Sequence, residues 1–132
     1  MTFNSESDVR EWLRKEASSC WWVENKRGGT MGFPDAVAVV ERRLIFAELK
    51  LVKCDSAGQL WVEASPQQVN VLLEMKAADL CSGVIGGLEG GKSAFWAEPE
   101  WLVRAGNSGK IGGRKRYDLA RFQDFGGWVG VK

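Results

Sequence analysis

Apolar residues recur at helical spacing near the start of the chain. Val9, Trp12, Leu13 and Ala17 form one apolar face of such a helix. Ser5 stands just before this stretch, and Asp8 three residues later completes a capping-box pattern. The pattern therefore predicts a first helix that begins after Ser5.

Five later apolar runs predict strands. Residues 33–40 and 44–52 are separated only by three charged residues, which is typical of a β-hairpin. Both runs are apolar at alternate and intervening positions alike, so we expect both faces of this hairpin to be covered. The other runs are shorter and lie at residues 20–24, 83–88 and 93–97.

Ser65-Pro66 predicts the start of a second helix, which runs to about residue 79. A short helix is expected from Glu98-Pro99 to residue 102, and residues 59–63 are expected as a short extension after a turn. The order of elements is αβββαβ, with one more strand and a basic, glycine-rich C-terminal extension. This order predicts an α/β (α+β) fold with a mixed central sheet flanked by helices. A single domain is expected over residues 1–132, with its core at about 5–104 and the extension at 105–132.

The composition excludes several kinds of chemistry. The 132 residues include no histidine, so Ser-His and Cys-His nucleophiles, His-ligated zinc and histidine general bases are all excluded. Hydrolysis would have to use carboxylates, lysine and a hard metal ion. The three cysteines form no CxxC pair, which favours a reduced, intracellular environment. The chain also has no apolar run long enough for a spanning helix, so we expect no membrane contact and a cytoplasmic protein.

Asp35, Glu48 and Lys50 are the strongest candidates for chemistry. If the hairpin turns at Glu41-Arg42, the numbers of facing residues add up to 83, and so do 35 and 48. Asp35 and Glu48 would then face each other, with β-carbons roughly 4.5–5.5 Å apart. A turn at Arg42-Arg43 is an equal alternative and would spoil this register.

Lys50 lies two residues after Glu48 and therefore points to the same face. Two carboxylates side by side are unfavourable unless a positive charge lies between them, so the group suits Mg²⁺ and a positioned water. The alternative is a surface pair with a rim salt bridge. The catalytic interpretation is favoured because both acids lie in apolar strands and Asp35 follows Gly32-Phe33-Pro34.

Three motifs, GFPD at 32–35, AELK at 47–50 and SPQQ at 65–68, resemble the PD-(D/E)XK nuclease superfamily. The likeness covers about residues 5–88 and is greatest to small stand-alone VRR-NUC and Holliday-junction resolvase-like nucleases, many of them phage-encoded. It implies a restriction-endonuclease-like core. It also implies that Asp35, Glu48 and the backbone carbonyl of Leu49 bind Mg²⁺ or Mn²⁺, and that Lys50 orients or deprotonates the attacking water.

The resemblance places Gln68 over the site, while Ser65 and Gln68 also match a capping box, and the two interpretations are compatible. Many relatives use an acidic residue of the first helix as an extra metal ligand. Glu6 is weakly favoured over Glu11 and Glu16, against its alternative as a first-turn glutamate that the helix dipole favours.

A nuclease must neutralise phosphate, and its candidate contacts are basic residues near glycine or the ExK strand. The alternative for each is a solvated loop charge. Tyr117 is a candidate for base stacking. One of Trp21 and Trp22 is expected in the core, and core is the default for Trp61, Trp96, Trp101 and Trp128, with an interface as the alternative. The resemblance also implies a homodimer. The candidate phosphate contacts are Lys26, Arg27, Lys53, Arg114, Lys115 and Arg116.

The leading hypothesis is a metal-dependent endonuclease that hydrolyses DNA and is selective for branched or junction DNA. If the chain is phage-encoded, it would act in the host cytoplasm. A binding protein that uses the same scaffold without cutting is the alternative. A lower alternative is a nucleotide hydrolase, because residues 86–93 (GGLEGGKS) satisfy the P-loop pattern. That run is expected to join two strands, whereas a P-loop must open a helix.

Overall fold

The computed structural model describes residues 2–23, 32–105, 107–111, 114–118 and 123–125. Lys26 and Arg27, two of the predicted phosphate contacts, lie outside the described residues. Three helices and nine strands are found within the described ranges. In chain order they are α1 (Glu6–Glu16), β1 (Ser19–Trp22), β2 (Ala36–Val40), β3 (Arg43–Cys54), β4 (Leu60–Ala64), α2 (Pro66–Ala77), β5 (Ser82–Leu88), β6 (Ala94–Ala97), α3 (Pro99–Ala105), β7 (Asn107–Ile111), β8 (Arg114–Asp118) and β9 (Gln123–Asp124).

The strands form one mixed sheet, as predicted. The long strand β3 is at its centre: it pairs antiparallel with β2 along its first half and parallel with β5 along most of its length. Beyond β5 come β6 and β9, and beyond β2 comes β1, all antiparallel. The last residues of β3 pair with β4, which in turn pairs with β8, and β8 pairs with β7.

The β2–β3 hairpin turns at Glu41 and Arg42. Both residues have positive φ, 50° and 64°, which is the backbone of a type I′ turn and matches the twist of the strands that it joins. Ala36 therefore faces Ala47, and Val40 faces Arg43. This is the register in which facing residue numbers add up to 83, so the predicted hairpin is confirmed.

The two faces of the sheet are covered by different helices. Val9 and Leu13 of α1 pack on one face, against residues of β2, β3 and β5 that include Ala38 and Ile45. Val69 and Leu72 of α2 pack on the other face in a second core cluster. Buried sheet residues of that second cluster are Val52, Val62, Ala64, Val84, Ala97 and Tyr117.

Capping residues in the sequence set the starts of α1 and α2. The Ser5 hydroxyl accepts a hydrogen bond from the Asp8 backbone N–H at 3.4 Å, and Ser65 with Gln68 forms a complete capping box. Before α1, Phe3 is fully buried, and its backbone pairs with the loop after β5: Phe3 N–H donates to the Gly91 carbonyl at 2.9 Å. This hydrogen bond holds the segment before α1 against the turn that follows β5.

The described part of the C-terminal extension forms strands. Residues 59–63, expected only as an extension, contribute to β4 because they pair with β3 on one side and β8 on the other. Tyr117 was a candidate for base stacking, and this was wrong: it faces Val62 and is buried in the second core.

Residues 86–93 form the end of β5 and the turn to β6 and open no helix, so the structural requirement for a P-loop is not met. Of the two neighbouring tryptophans in β1, Trp22 packs against the first core and Trp21 is 55% exposed. No helix among the described residues is long and apolar enough to cross a membrane.

Candidate active site

Asp35 and Glu48 meet where β2 begins. Asp35 immediately precedes β2, and the hairpin register continued by one residue sets it opposite Glu48 of β3. Its carboxylate oxygen Oδ2 accepts a hydrogen bond from the backbone N–H of Leu49 at 3.0 Å. Its own carbonyl accepts from the Val23 N–H at 2.9 Å. The first bond holds the carboxylate against the central strand, and the second joins the Asp35 backbone to the residue after β1.

Gly32, the first residue of the GFPD motif, lets the chain reach this point. It has φ of +83°, in the left-handed region that glycine adopts without a steric penalty. A β-carbon there would lie 2.9 Å from the backbone oxygen of Gln67, in the first turn of α2. The glycine therefore allows the segment before Asp35 to pass close to the helix that holds Gln68.

Glu48 and Lys50 are almost completely buried, at 2% and 3% exposure. Gln68 of α2 joins them: its Nε2 donates to Glu48 Oε1 at 2.9 Å, and its Oε1 accepts from Lys50 Nζ at 3.2 Å. Lys50 Nζ also lies 3.8 Å from Glu48 Oε1 in a buried ion pair. The structure thus brings Asp35, Glu48, Lys50 and Gln68 together, as predicted.

The second oxygen of Glu48 has no such partner. Oε2 is buried and has no hydrogen-bond donor among the described residues. Burial, followed by a hydrogen bond to Asp35 and repulsion from its charge, raises the pKa of Glu48 to about 9. The Lys50 ammonium opposes this rise in pKa, and Glu6 adds to it. A protonated Glu48 can donate to Asp35, whereas an ionised Glu48 needs a further positive charge.

These groups suit a divalent metal ion. A carboxylate oxygen that is buried without a partner, beside a second carboxylate, is the oxygen-rich environment that Mg²⁺ prefers. Asp35 and Leu49 line a cavity of about 350 Å³, together with Glu6, Ser7 and Arg10 at the start of α1. Leu49 is thus at the place where its backbone carbonyl was expected to act as a ligand, and that role remains a prediction.

Of the three acidic residues of α1 that were considered, Glu6 is the one that lines this cavity. Glu11 is instead paired with Arg14 on the exposed side of the helix, which lowers its pKa. Glu16 is exposed at the far end of the helix. No group of three acidic, cysteine or histidine side chains suited to a metal occurs in the part of the chain that the structure describes. The weak expectation that Glu6 is a ligand stays a prediction.

The predicted phosphate contacts that fall within the described residues occupy β3 and β8. Lys53 and Arg116 both lie close to the ring of Trp61 on β4, at 5.4 Å and 4.7 Å from its centroid. Lys115 is half-buried and faces Ala64. The backbone of Arg114 begins β8. Sequence reasoning assigned Trp61 to the core by default, although its alternation with the buried Val62 indicates that it lies on the other face of the strand.

The comparisons with known proteins identify the fold. No family model matches the chain, and no curated protein matches it. The Holliday junction resolvase Hjc of the archaeon Archaeoglobus fulgidus matches in structure, with a TM-score of 0.64 over 95% of this chain and 97% of that chain, at 17% sequence identity. The chain therefore shares the fold of this resolvase, and the predicted α+β fold with a mixed sheet flanked by helices is confirmed.

Proposed function

We propose that the protein is a metal-dependent endonuclease that hydrolyses DNA phosphodiester bonds and selects branched DNA. The observation that supports this most directly is the buried Glu48 carboxylate, which faces Asp35 and which, when ionised, has one oxygen that accepts no hydrogen bond from the described residues. The fold shared with a protein described as a Holliday junction resolvase supports the substrate class. The absence of histidine from the sequence leaves carboxylates and lysine to do this work.

Asp35, Glu48 and the backbone carbonyl of Leu49 would hold Mg²⁺ or Mn²⁺. The bound ion supplies positive charge that lowers the pKa of water and stabilises charge on the phosphate. Glu48 would then be ionised, because a metal ion outweighs the burial and the repulsion from Asp35 that otherwise raise its pKa to about 9. Glu6 would add a further negative charge at the edge of the cavity.

Lys50 is the candidate for handling the attacking water. Its ammonium is fixed by Gln68 Oε1 and lies 3.8 Å from Glu48 Oε1. The ammonium held at this point can orient the water and stabilise the charge that develops on the phosphate. The neutral amine would instead accept the proton of the water and become the ammonium. Gln68 has the supporting role, because it fixes the positions of both Lys50 and Glu48.

The finer assignments belong to the same proposal. The three motifs at 32–35, 47–50 and 65–68 support an affinity with VRR-NUC and phage-type nucleases. Two-fold symmetry suits an enzyme that cuts two strands, so a homodimer is proposed. A cytoplasmic location, in the host if the chain is phage-encoded, fits cysteines that form no disulfide among the described residues.

A cleavage panel tests the proposal. Labelled four-way junction, flap, linear duplex and single-stranded DNA are incubated with the full chain and Mg²⁺ or Mn²⁺. We expect cutting of the branched substrates by the wild type and none by Asp35→Ala or Lys50→Ala. Lys92→Ala is the matched control, because Lys92 is an exposed lysine in the turn between β5 and β6.

Metal-dependent cutting by purified Asp35→Ala would contradict the proposal. Tight DNA binding without cutting by the wild type, with metal affinity unaffected by Asp35→Ala, would instead support a binding protein on the same scaffold. Calorimetric titration of Mn²⁺ into both proteins distinguishes these outcomes.

A further inference from the structure

Trp61 lies between two cations that come from different strands. Lys53 of β3 is its direct cross-strand partner, and the Lys53 Nζ lies 5.4 Å from the ring centroid. The Arg116 guanidinium, from β8 on the other side of β4, lies 4.7 Å from the same centroid. An aromatic face attracts a cation, so one indole fixes the positions of both positive groups.

These three side chains share one face of the sheet. Trp61 and Glu63 alternate with Val62 and Ala64, which are buried in the second core on the opposite face. Arg116 faces Glu63 across the β4–β8 pair and therefore points to the same side as Trp61. This face opens into a cavity of about 160 Å³.

That cavity adjoins the catalytic groups. Its lining includes Lys50, the proposed catalytic lysine, and Glu6, which also lines the cavity of Asp35 and Leu49. A nucleic acid strand whose scissile phosphate lies at Asp35 would therefore continue over Trp61. The face is not uniformly positive, because Glu6 and Glu63 also line it. Binding of a nucleic acid strand at this face therefore depends on the positions of the Lys53 and Arg116 side chains rather than on overall positive charge.

Each cation is held by a different arrangement. Asp55 accepts a hydrogen bond from Arg116 Nη2 at 2.8 Å, which fixes the guanidinium over the ring. Lys53 forms no salt bridge within the described ranges, so Trp61 is the interaction that orients it there. Two like charges beside one ring repel each other, and an anion between them relieves that repulsion.

We propose that Trp61, Lys53 and Arg116 form a backbone-phosphate subsite beside the catalytic pocket, with Trp61 as the positioning residue. Its ligand is a phosphodiester of the same nucleic acid strand that is cut, so the inference rests on the proposed function. Base stacking on Trp61 is disfavoured because cations already occupy positions over its ring. The subsite gives the protein a specific contact with the backbone although its net charge is only +1.

The test measures binding of the full chain to a labelled four-way junction by fluorescence anisotropy, with EDTA present, over a series of KCl concentrations. Lys53→Gln and Arg116→Gln should each reduce the slope of log affinity against log salt by roughly one, as expected when one phosphate contact is lost. Trp61→Leu should weaken binding on the order of fivefold. Trp61→Phe keeps an aromatic face and should restore most of the affinity. Trp21→Leu is the matched control, since Trp21 is exposed on β1.

A double-variant cycle distinguishes positioning from packing. If Trp61 acts through Lys53, the loss in Trp61→Leu/Lys53→Gln is smaller than the product of the two single losses. Independent multiplication of the losses, or wild-type affinity and salt dependence in Trp61→Leu, would overturn the proposal. If Trp61→Leu does not fold, affinity and salt slope are compared among Trp61→Phe, Lys53→Gln and Arg116→Gln. Near wild-type values in Trp61→Phe with reduced values in both glutamine variants support the subsite, and wild-type values in all three overturn it.

Cleavage measured alongside separates this subsite from the nuclease proposal. If the wild type cuts DNA and the Trp61 variants bind it normally, the subsite proposal is contradicted and the nuclease proposal stands. If the wild type cuts no DNA but the variants show the expected losses of binding, the nuclease proposal is contradicted and the subsite proposal stands.

Discussion

The side-chain amide of Gln68 donates from Nε2 to Oε1 of Glu48, at 2.9 Å. The carbonyl oxygen of the same amide accepts from the Ser65 backbone N–H at 3.0 Å and from Lys50 Nζ at 3.2 Å. One amide group therefore caps α2 and holds two groups of the candidate active site. Both interpretations of Gln68 that the sequence allowed are realised together in the structure, and its part in catalysis remains proposed.

Two substitutions distinguish the capping of α2 from the positioning of Glu48 and Lys50. Ser65→Ala removes the hydroxyl that caps α2 and should lower the free energy of unfolding by about 1 kcal/mol, with cleavage retained. Gln68→Ala also leaves buried Glu48 and Lys50 without their shared partner, so it should cost roughly 1–3 kcal/mol and greatly slow cleavage. Urea denaturation and single-turnover cleavage measure the two effects. Equal activity in both variants would show that Gln68 is only a cap.

Lys50→Met tests the buried ammonium in the catalytic step. The substitution keeps an unbranched side chain of similar length but removes the charge, so cleavage should fall by a factor on the order of 10² or more. Affinity for Mn²⁺ should persist because both carboxylates remain. Cleavage rate and calorimetric titration measure these quantities, with Lys92→Met as the control. A loss of Mn²⁺ binding equal to the loss of cleavage would contradict the assigned role.

The stability of the metal-free protein should fall as pH rises. Glu48 has a pKa of about 9 in the folded protein and an ordinary value of 4.5, so the folded state holds the extra proton between these values. The proton-bound folded state is favoured at low pH, and the free energy of unfolding should decline from about pH 5 to 9 by about 1.4 kcal/mol per unit at most. Urea denaturation in EDTA at pH 5.5, 7 and 8.5 measures the slope.

Glu48→Gln is the comparison for this slope. The amide cannot ionise, so the variant should be more stable than the wild type at pH 8.5 and should lose much of the pH dependence. An unchanged slope in Glu48→Gln would assign the titration to another group.

Addition of a divalent ion should reverse this loss of stability. An ion that binds only the folded state stabilises it by about 2.7 kcal/mol at a hundredfold excess over its Kd. The thermal midpoint at pH 8 should therefore rise with Mn²⁺ in the wild type and rise little in Asp35→Asn. Glu11→Gln is the control, because Glu11 is paired with Arg14 outside the cavity. The same rise in Asp35→Asn as in the wild type would place the ion elsewhere.

The hairpin turn offers a stabilising change away from the site. Glu41 and Arg42 adopt positive φ, which costs a residue with a side chain roughly 1–2 kcal/mol. The pair Glu41→Asn and Arg42→Gly provides the residues that type I′ turns favour and should raise the free energy of unfolding by about 1 kcal/mol. Thermal denaturation measures the gain, and cleavage should be unchanged. A lower midpoint would show that the native side chains make compensating contacts.

The sequence was sufficient for the hairpin that bears the candidate site. A two-residue turn and the period of two along a strand determine which residues face each other, so counting pairs Asp35 with Glu48 once the turn is placed at Glu41-Arg42. The sequence left a turn at Arg42-Arg43 equally open, and the structure shows the first of the two. The caps at Ser5 and Ser65 were equally local, because each depends on residues no more than three apart. The same period of two placed Lys50 beside Glu48, whereas the position of Gln68 over the site was implied by the resemblance to nuclease motifs and not by a local rule.

The remaining features depend on pairings between distant parts of the chain. The glycine-rich stretch that contains β8 has no apolar alternation, and it becomes a strand because β4 supplies its partner. The contact of Trp61 with Lys53 and Arg116 arises only when β3, β4 and β8 lie side by side. No spacing within one segment indicates such a cluster.

The central parallel pair also has a consequence for how activity appears during folding. β3 holds Glu48 and Lys50, and its neighbour β5 comes only after β4 and α2 in the chain. This pairing is non-local, and closing so long a segment slows its formation relative to the β2–β3 hairpin. Asp35 and Glu48 can therefore meet early, while the burial that sets the pKa of Glu48 arrives only once β5 and α2 have docked. Refolding should restore the hairpin first and catalytic competence last.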